Sequence, residues 1–166
     1  MAGEFQAVVS LSELKLDAWS RGDLYQSEDV SFGALLGLTR LGVSFNVVPP
    51  GKSSCPYHNH PVEDEMFVIL EGEGDYRLGG AHHQVKAGDV LGAPAGGQET
   101  AHQLVNTGTG RLVYLGIAAN ADNEIVEYPD SGKFLVSSRP KGGGTKLRFV
   151  GRAESEVDYW DGEPGA

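Results

Sequence analysis

Three side chains in the first half of the chain have the types and spacing to hold an ion: His58, His60 and Glu65. Extended backbone rises about 3.3 Å per residue, so His58 and His60 leave one face with Cβ atoms roughly 6–7 Å apart, and both rings can converge on one point. Pro61 cannot continue pairing as an interior strand residue, and Pro61–Asp64 reads as a polar turn. Glu65 then opens the apolar run Met66–Leu70, which has strand length and ends at Glu71 and Gly72. A hairpin folded at Pro61–Asp64 brings the Glu65 carboxylate back beside the two imidazoles. Two neutral imidazoles and one carboxylate form a facial ligand set for a divalent metal.

A second stretch has the same punctuated character. Gly88-Asp89 is a turn, Val90–Ala93 a short strand, and Pro94–Gly97 a loop leading to the strand that carries His102. Alternation along that strand points His102, Leu104 and Asn106 to one face.

Together the two stretches resemble the paired motifs of the cupin family. The first motif runs Gly, about five residues, His-x-His, three or four residues, Glu, six residues, Gly. Gly51, His58, His60, Glu65 and Gly72 follow that order, with six residues between Gly51 and His58. Asp64 is the rival carboxylate at the three-residue spacing, but only Glu65 leaves six residues before Gly72. The second motif runs Gly, five residues, Pro-x-Gly, two residues, His, three residues, Asn. Gly88, Pro94, Gly96, His102 and Asn106 match it, with five residues before the histidine in place of two. The extra residues fall within Gly97–Ala101, bring in Gln98 and Glu99, and alter the rim of the site; a longer loop costs little in closure entropy.

The resemblance covers roughly residues 40–118 and implies an all-β fold, the cupin double-stranded β-helix or jelly-roll barrel. It implies that His58, His60, Glu65 and His102 ligate one divalent transition metal, with Fe, Mn, Ni, Zn, Co and Cu all compatible. It also implies a homodimer formed through barrel faces and N-terminal strands. Three imidazoles and a carboxylate leave one or two exchangeable positions, whereas a structural zinc site is closed at four ligands. The ion retains net positive charge after one carboxylate, so the expected small-molecule partner is anionic or polyhydroxylated. Two function classes follow. One is a metal-dependent enzyme on a small oxygen-rich metabolite, of the oxygenase, isomerase or decarboxylase type. The other is a non-catalytic module that captures a sugar or small acid, and the fold hosts both. No catalytic acid or base is identified.

Around the ligands, Phe67 and Ile69 share the face of Glu65 and, with Leu104, are expected to line the pocket, while Met66, Val68 and Leu70 face away. Tyr57 and Asn106 are candidates either to orient a ligand or substrate oxygen or to make structural hydrogen bonds. Cys55 reads as a buried small hydrophobe rather than a thiolate ligand. His82 and His83 are adjacent, point to opposite faces and read as exposed.

The elements that must position these groups are short strands. Ala34–Thr39 and Leu41–Val48 read as strands, with Val43, Phe45 and Val47 as the core face of the latter. Asp75–Leu78 and Gln84–Lys86 flank a Gly79-Gly80 hairpin turn. Arg111–Ile117, Phe134–Ser137 and Lys146–Val150 complete the set, the last two joined by a flexible glycine-bearing loop at Arg139–Thr145. That run lacks the Gly-x-x-x-x-Gly-Lys-Ser/Thr pattern of a phosphate loop. The expected organisation is an irregular arm over residues 1–31, a barrel over 32–150 and a C-terminal extension over 151–166. The arm contains one helical turn near Ser10–Glu13 and packs on its own barrel or on a second subunit. Tyr159 and Trp160 are expected to pin the extension to the barrel wall.

Composition agrees with this. A chain of 166 residues fits one domain that buries about 70% of its extended-chain surface. A formal charge of −10 argues against binding nucleic-acid backbones or anionic membrane surfaces. The first residues lack the basic region and apolar core of a signal peptide, and no apolar run approaches the roughly 20 residues of a membrane span. One cysteine excludes an internal disulfide framework, so the expected location is cytoplasmic.

Overall fold

The computed structural model describes residues 5–139 and 146–165; from residue 140 onward the expected glycine-bearing loop lies outside them. The fold is all-β as expected, and among the described residues the only helical elements are three single 3-10 turns. The strands are β1 (Asp17–Arg21), β2 (Tyr25–Ser31), β3 (Leu41–Val48), β4 (Glu65–Glu71), β5 (Glu73–Leu78) and β6 (Ala81–Lys86). They continue with β7 (Val90–Ala93), β8 (His102–Val105), β9 (Leu112–Ala119), β10 (Asn123–Tyr128), β11 (Lys133–Ser138) and β12 (Leu147–Gly151). A six-stranded sheet runs β1-β2-β3-β9-β4-β7, accompanied by two three-stranded sheets, β6-β5-β8 and β10-β11-β12. No helix in the described residues is long and apolar enough to cross a membrane.

Register across β3, β9 and β4 sets the interior out in layers. Gly42, Ala118 and Glu65 form one row, Ser44, Gly116 and Phe67 the next, then Asn46, Tyr114 and Ile69. Val48 pairs with Leu112 beyond them. The last rows merge with Tyr76, Val85, Leu91 and Leu104 into the apolar core. Burying a side chain such as Ile69 or Leu112 contributes about 1.5–3 kcal/mol. The first rows carry glycine, alanine and serine, and there the interior stays open. Barrel filling is therefore graded, apolar and closed at one end, polar and open at the other.

This gradient corrects two expectations. On β3 the inward parity is Ser44, Asn46 and Val48, because the open end takes polar groups. Val43, Phe45 and Val47 form the half-buried outer face, where Phe45 sits in a row with Val30, Leu115 and Val68. On β4 the inward parity holds, but Ile69, like Leu104 on β8, lies in the filled core, and only Phe67 of the three lines the cavity.

Other expectations are corrected at the ends and in the turns. The arm is irregular only as far as Leu16, with its helical turn at Leu11–Glu13; β1 and β2 then form a hairpin that β2 attaches to β3. Residues 33–37 form a hydrogen-bonded turn instead of a strand, closed by Gly37 at φ +70°. Tyr159 and Trp160 do not pin the extension: they are 83% and 62% exposed and contact each other edge to face. The Gly79-Gly80 hairpin forms as read, leaving His82 and His83 exposed, with His82 bonded to Asp75. Gly72, which closes the first motif, sits at φ +85° after a register shift in β4, and a Cβ there would lie 2.3 Å from the Arg111 carbonyl oxygen. Only glycine passes that bend.

Candidate metal centre

The His58–His60 segment is not half of a hairpin with β4. It is threaded between β8 and β10. His58 exchanges two main-chain hydrogen bonds with His102 (3.1 and 2.7 Å), and Asn59 exchanges two with Glu127 (3.0 Å each). Residues 61–64 then cross to the other sheet, where β4 pairs with β9 and β7. Glu65 is delivered to the histidines by this crossover, and the result is the grouping that the sequence spacing anticipates.

The Glu65 Oε2 atom lies 3.8 Å from His58 Nε2, 3.2 Å from His60 Nε2 and 3.0 Å from His102 Nε2. One ligand atom from each of the four residues lies within 4.8 Å of the others. All three rings are fixed from behind. Nδ1 of His58 donates to the Pro56 carbonyl at 2.8 Å, Nδ1 of His102 to the Thr100 carbonyl at 3.3 Å, and Nδ1 of His60 to Glu124. A proton held on Nδ1 leaves the Nε2 lone pair for an ion. Thr100 belongs to the inserted residues 97–101, which form a 3-10 turn, so the insertion supplies the anchor of His102.

The donor set fits a divalent cation. His60 Nε2 is buried and makes no hydrogen bond of acceptable geometry, an orphan that an ion would satisfy. Electrostatics shows which ligand carries a proton in the ion's place. Burial, then repulsion from His102 and His60, lowers His58 to about 4, so it stays neutral. Burial acts in the same direction on His60, but the hydrogen bond to Glu124 and the nearby negative charges of Glu65 and Glu124 outweigh it and raise its pKa to about 10. Glu65 is held below the usual carboxylate range: burial opposes this, and the close approach of His102 and His60 to its carboxylate overcomes it.

A pH dependence follows. Metal must displace the proton on His60, whose metal-free pKa is raised, so affinity falls as pH falls below about 10. The expected slope is about tenfold per pH unit, with one proton released per ion. Below about 4, protonation of His58 steepens it. Calorimetry in buffers of different ionisation heat measures the released proton; affinity that stays flat from pH 8 to pH 6 would contradict the assignment.

Neighbouring groups take defined roles. Asp64, the rival carboxylate, accepts from the Ala95 amide at 2.8 Å, while Glu63 accepts from the Ala121 amide. The Tyr57 hydroxyl donates to the Gly79 carbonyl at 2.8 Å, beneath the Arg77 guanidinium. Asn106 donates to the carbonyls of Val48 (2.8 Å) and Gly110 (2.9 Å) and accepts from the Gly108 amide (3.0 Å). Both therefore make structural bonds to main chain. Cys55 lines the cavity wall, where its enclosed position and the Glu65 charge push its thiol up to about 12; it stays a thiol.

A cavity of about 430 Å³ opens beside His58, Glu65 and Phe67. Sequence reasoning missed Glu124, Asn59 and Asp29. Glu124 lies on β10, outside both motifs, and no local signal places it behind His60. Asn59 is fully buried and donates to Gly96 O (3.0 Å) and Glu127 Oε2 (2.8 Å). Its position between two inward histidines requires it to face a neighbour, which was a readable sign. Asp29 lines the cavity from β2, a segment read as irregular.

A family model described as a cupin domain matches residues 45–118. An oxalate-binding protein of Thermotoga maritima is 33% identical over 97 residues, spanning 58% of this chain and 76% of that protein. A structure from Acidithiobacillus ferrooxidans, provisionally assigned as a sugar phosphate isomerase, superposes with a TM-score of 0.74 at 25% identity, covering 90% of this chain and 94% of the other. A Thermotoga maritima structure described by prediction as an oxalate decarboxylase gives a TM-score of 0.57 at 30% identity, over 68% of this chain and 97% of the other.

Proposed function

This chain belongs to the cupin family, and on that premise we propose that it is a divalent-metal-dependent enzyme acting on a small oxygen-rich metabolite. One observation carries the reading: three imidazoles, each fixed at Nδ1, direct Nε2 at one carboxylate beside an open cavity. A closed structural site has no use for such an opening. When bound, the ion supplies a Lewis acid and a template for the ligand's oxygens. His58, His60, Glu65 and His102 hold it, Glu124 keeps the proton on the far side of the His60 ring, and Phe67 walls the centre from water on the core side.

The name of the 33%-identical relative favours a second reading, in which the cavity binds a small acid without turning it over. Elemental mass spectrometry of the purified protein tests the shared premise. Near one metal ion per chain is expected in the wild type and none in His58→Ala or His102→Ala. Metal retained by both variants would remove these residues from the site. Turnover of a bound hydroxy-ketone or hydroxy acid then selects the enzyme; saturable binding without product selects the binding module.

A further inference from the structure

The charge of the cavity restricts the ligand further. Beyond Glu65 it holds a second carboxylate, Asp29, and among the described residues neither lysine nor arginine lines it. Asp29 Oδ2 accepts from the Trp19 indole at 2.7 Å, and Oδ1 takes no other hydrogen bond among the described residues. The rest of the polar wall is hydroxyl and amide. Ser44 accepts from Asn46 at 2.9 Å, Ser54 shares a hydrogen bond with the Tyr114 hydroxyl, and Ser31 lies on the same inward parity of β2 as Asp29. On the floor, Gly116 leaves room that a side chain would take: a Cβ there would come within 2.8 Å of Ser44 Oγ.

With this geometry we infer that the cavity takes a polyhydroxylated molecule carrying at most one negative charge, bound through hydroxyls that donate to Asp29, and discriminates against dianions. The inference rests on the metal reading above. With neutral histidines, the two charges of a divalent ion are already matched by the two carboxylates that line the cavity, Glu65 and Asp29, before any ligand enters, and Glu124 behind His60 adds a third carboxylate outside it. A neutral hydroxy-ketone preserves that balance, and a monoanion leaves one uncompensated charge. A dicarboxylate or phosphate monoester leaves two, with no cationic side chain among the described residues of the cavity to answer them. Hydroxyl groups also match the wall chemically, because they donate to the accept-only carboxylate of Asp29 and exchange hydrogen bonds with Ser44 and Ser54. Carboxylate and phosphate oxygens only accept and would face Asp29 as like charges.

The test is calorimetry on the full-length, metal-loaded protein with four probes: ribulose (neutral), gluconate (monoanion), oxalate and ribulose 5-phosphate (dianions). Metal content is checked in each preparation, and each probe is also titrated into Asp29→Asn. The expected order places ribulose or gluconate at least about tenfold tighter than either dianion. Asp29→Asn, equal in size and with metal content unchanged, weakens ribulose and tightens oxalate, each by about tenfold. Tightest binding of a dianion, or no binding of either hydroxylated probe, by protein that holds its metal overturns this inference and leaves the metal reading standing. Protein that takes up no metal overturns both.

Discussion

Glu65→Gln should strip the protein of its metal, and Asp64→Asn should leave it bound. Glu65 supplies the only anion in the ligand set, and its Oε2 lies within 3.8 Å of all three Nε2 atoms. Glutamine keeps the shape and removes the charge. Breaking a buried charge pairing by removing one partner costs about 3–5 kcal/mol, so affinity falls by roughly a thousandfold. Asp64 stands one residue earlier, but its carboxylate is turned to the Ala95 amide, and its replacement touches a loop and no ligand. Competition with a chromophoric chelator reads both affinities. Wild-type affinity in Glu65→Gln would exclude Glu65 from the centre. Equal losses in the two variants would indicate collapse of residues 61–65 in place of a missing ligand.

Asn106→Ala has the largest expected effect on stability and little on metal. The side chain is fully buried and ties Val48, Gly108 and Gly110 together through three hydrogen bonds. Alanine leaves two carbonyls and an amide without these partners. At about 1 kcal/mol for each bond lost, the variant loses roughly 3 kcal/mol. For a domain of this size that lowers Tm by about 6–12 °C. Metal per chain stays at the wild-type level, since none of the three bonds reaches a ligand. Thermal unfolding with parallel metal analysis separates the outcomes: metal lost with Tm unchanged would restore Asn106 to the site and overturn its structural role.

The parts legible in the sequence are those in which local spacing and chemistry coincide. His58 and His60 were readable because alternation places the two imidazoles on one face, and Glu65 was chosen over Asp64 by the resemblance, whose motif leaves six residues before Gly72. Gly72 was readable as the end of that motif, and the structure adds that its bend admits no side chain. The inward parity of β4 was legible, as Met66 and Leu70 are exposed while Ile69 is buried. On β3 the same reasoning chose the wrong face. Apolar residues normally mark the inside, but here the interior at that level is a polar cavity, and the outer face carries its own apolar row in which Phe45 is flanked by Val30, Leu115 and Val68. Length along the strand was equally invisible: Phe67 and Ile69 share a face, and only register with Gly116 and Tyr114 shows that one borders space and the other fills it. The β1–β2 hairpin escaped because Leu11, Leu14, Leu16 and Trp19 follow neither period, and its strands are held by pairing to β3 more than by their own pattern.

The threading of residues 58–60 between β8 and β10 bears on how such a protein can be taken apart. All four ligands lie within residues 45–118, so that segment looks like a self-sufficient module. Yet the main-chain partner of Asn59 and the carboxylate that fixes His60 both belong to β10, beyond its border. Recombination between relatives at that border would carry over a complete set of ligands while exchanging the group that orients one of them. A chimera joined there inherits its four candidate ligands from one parent and the basicity of His60 from the other. The heritable unit of this centre is therefore longer than the stretch that names its family.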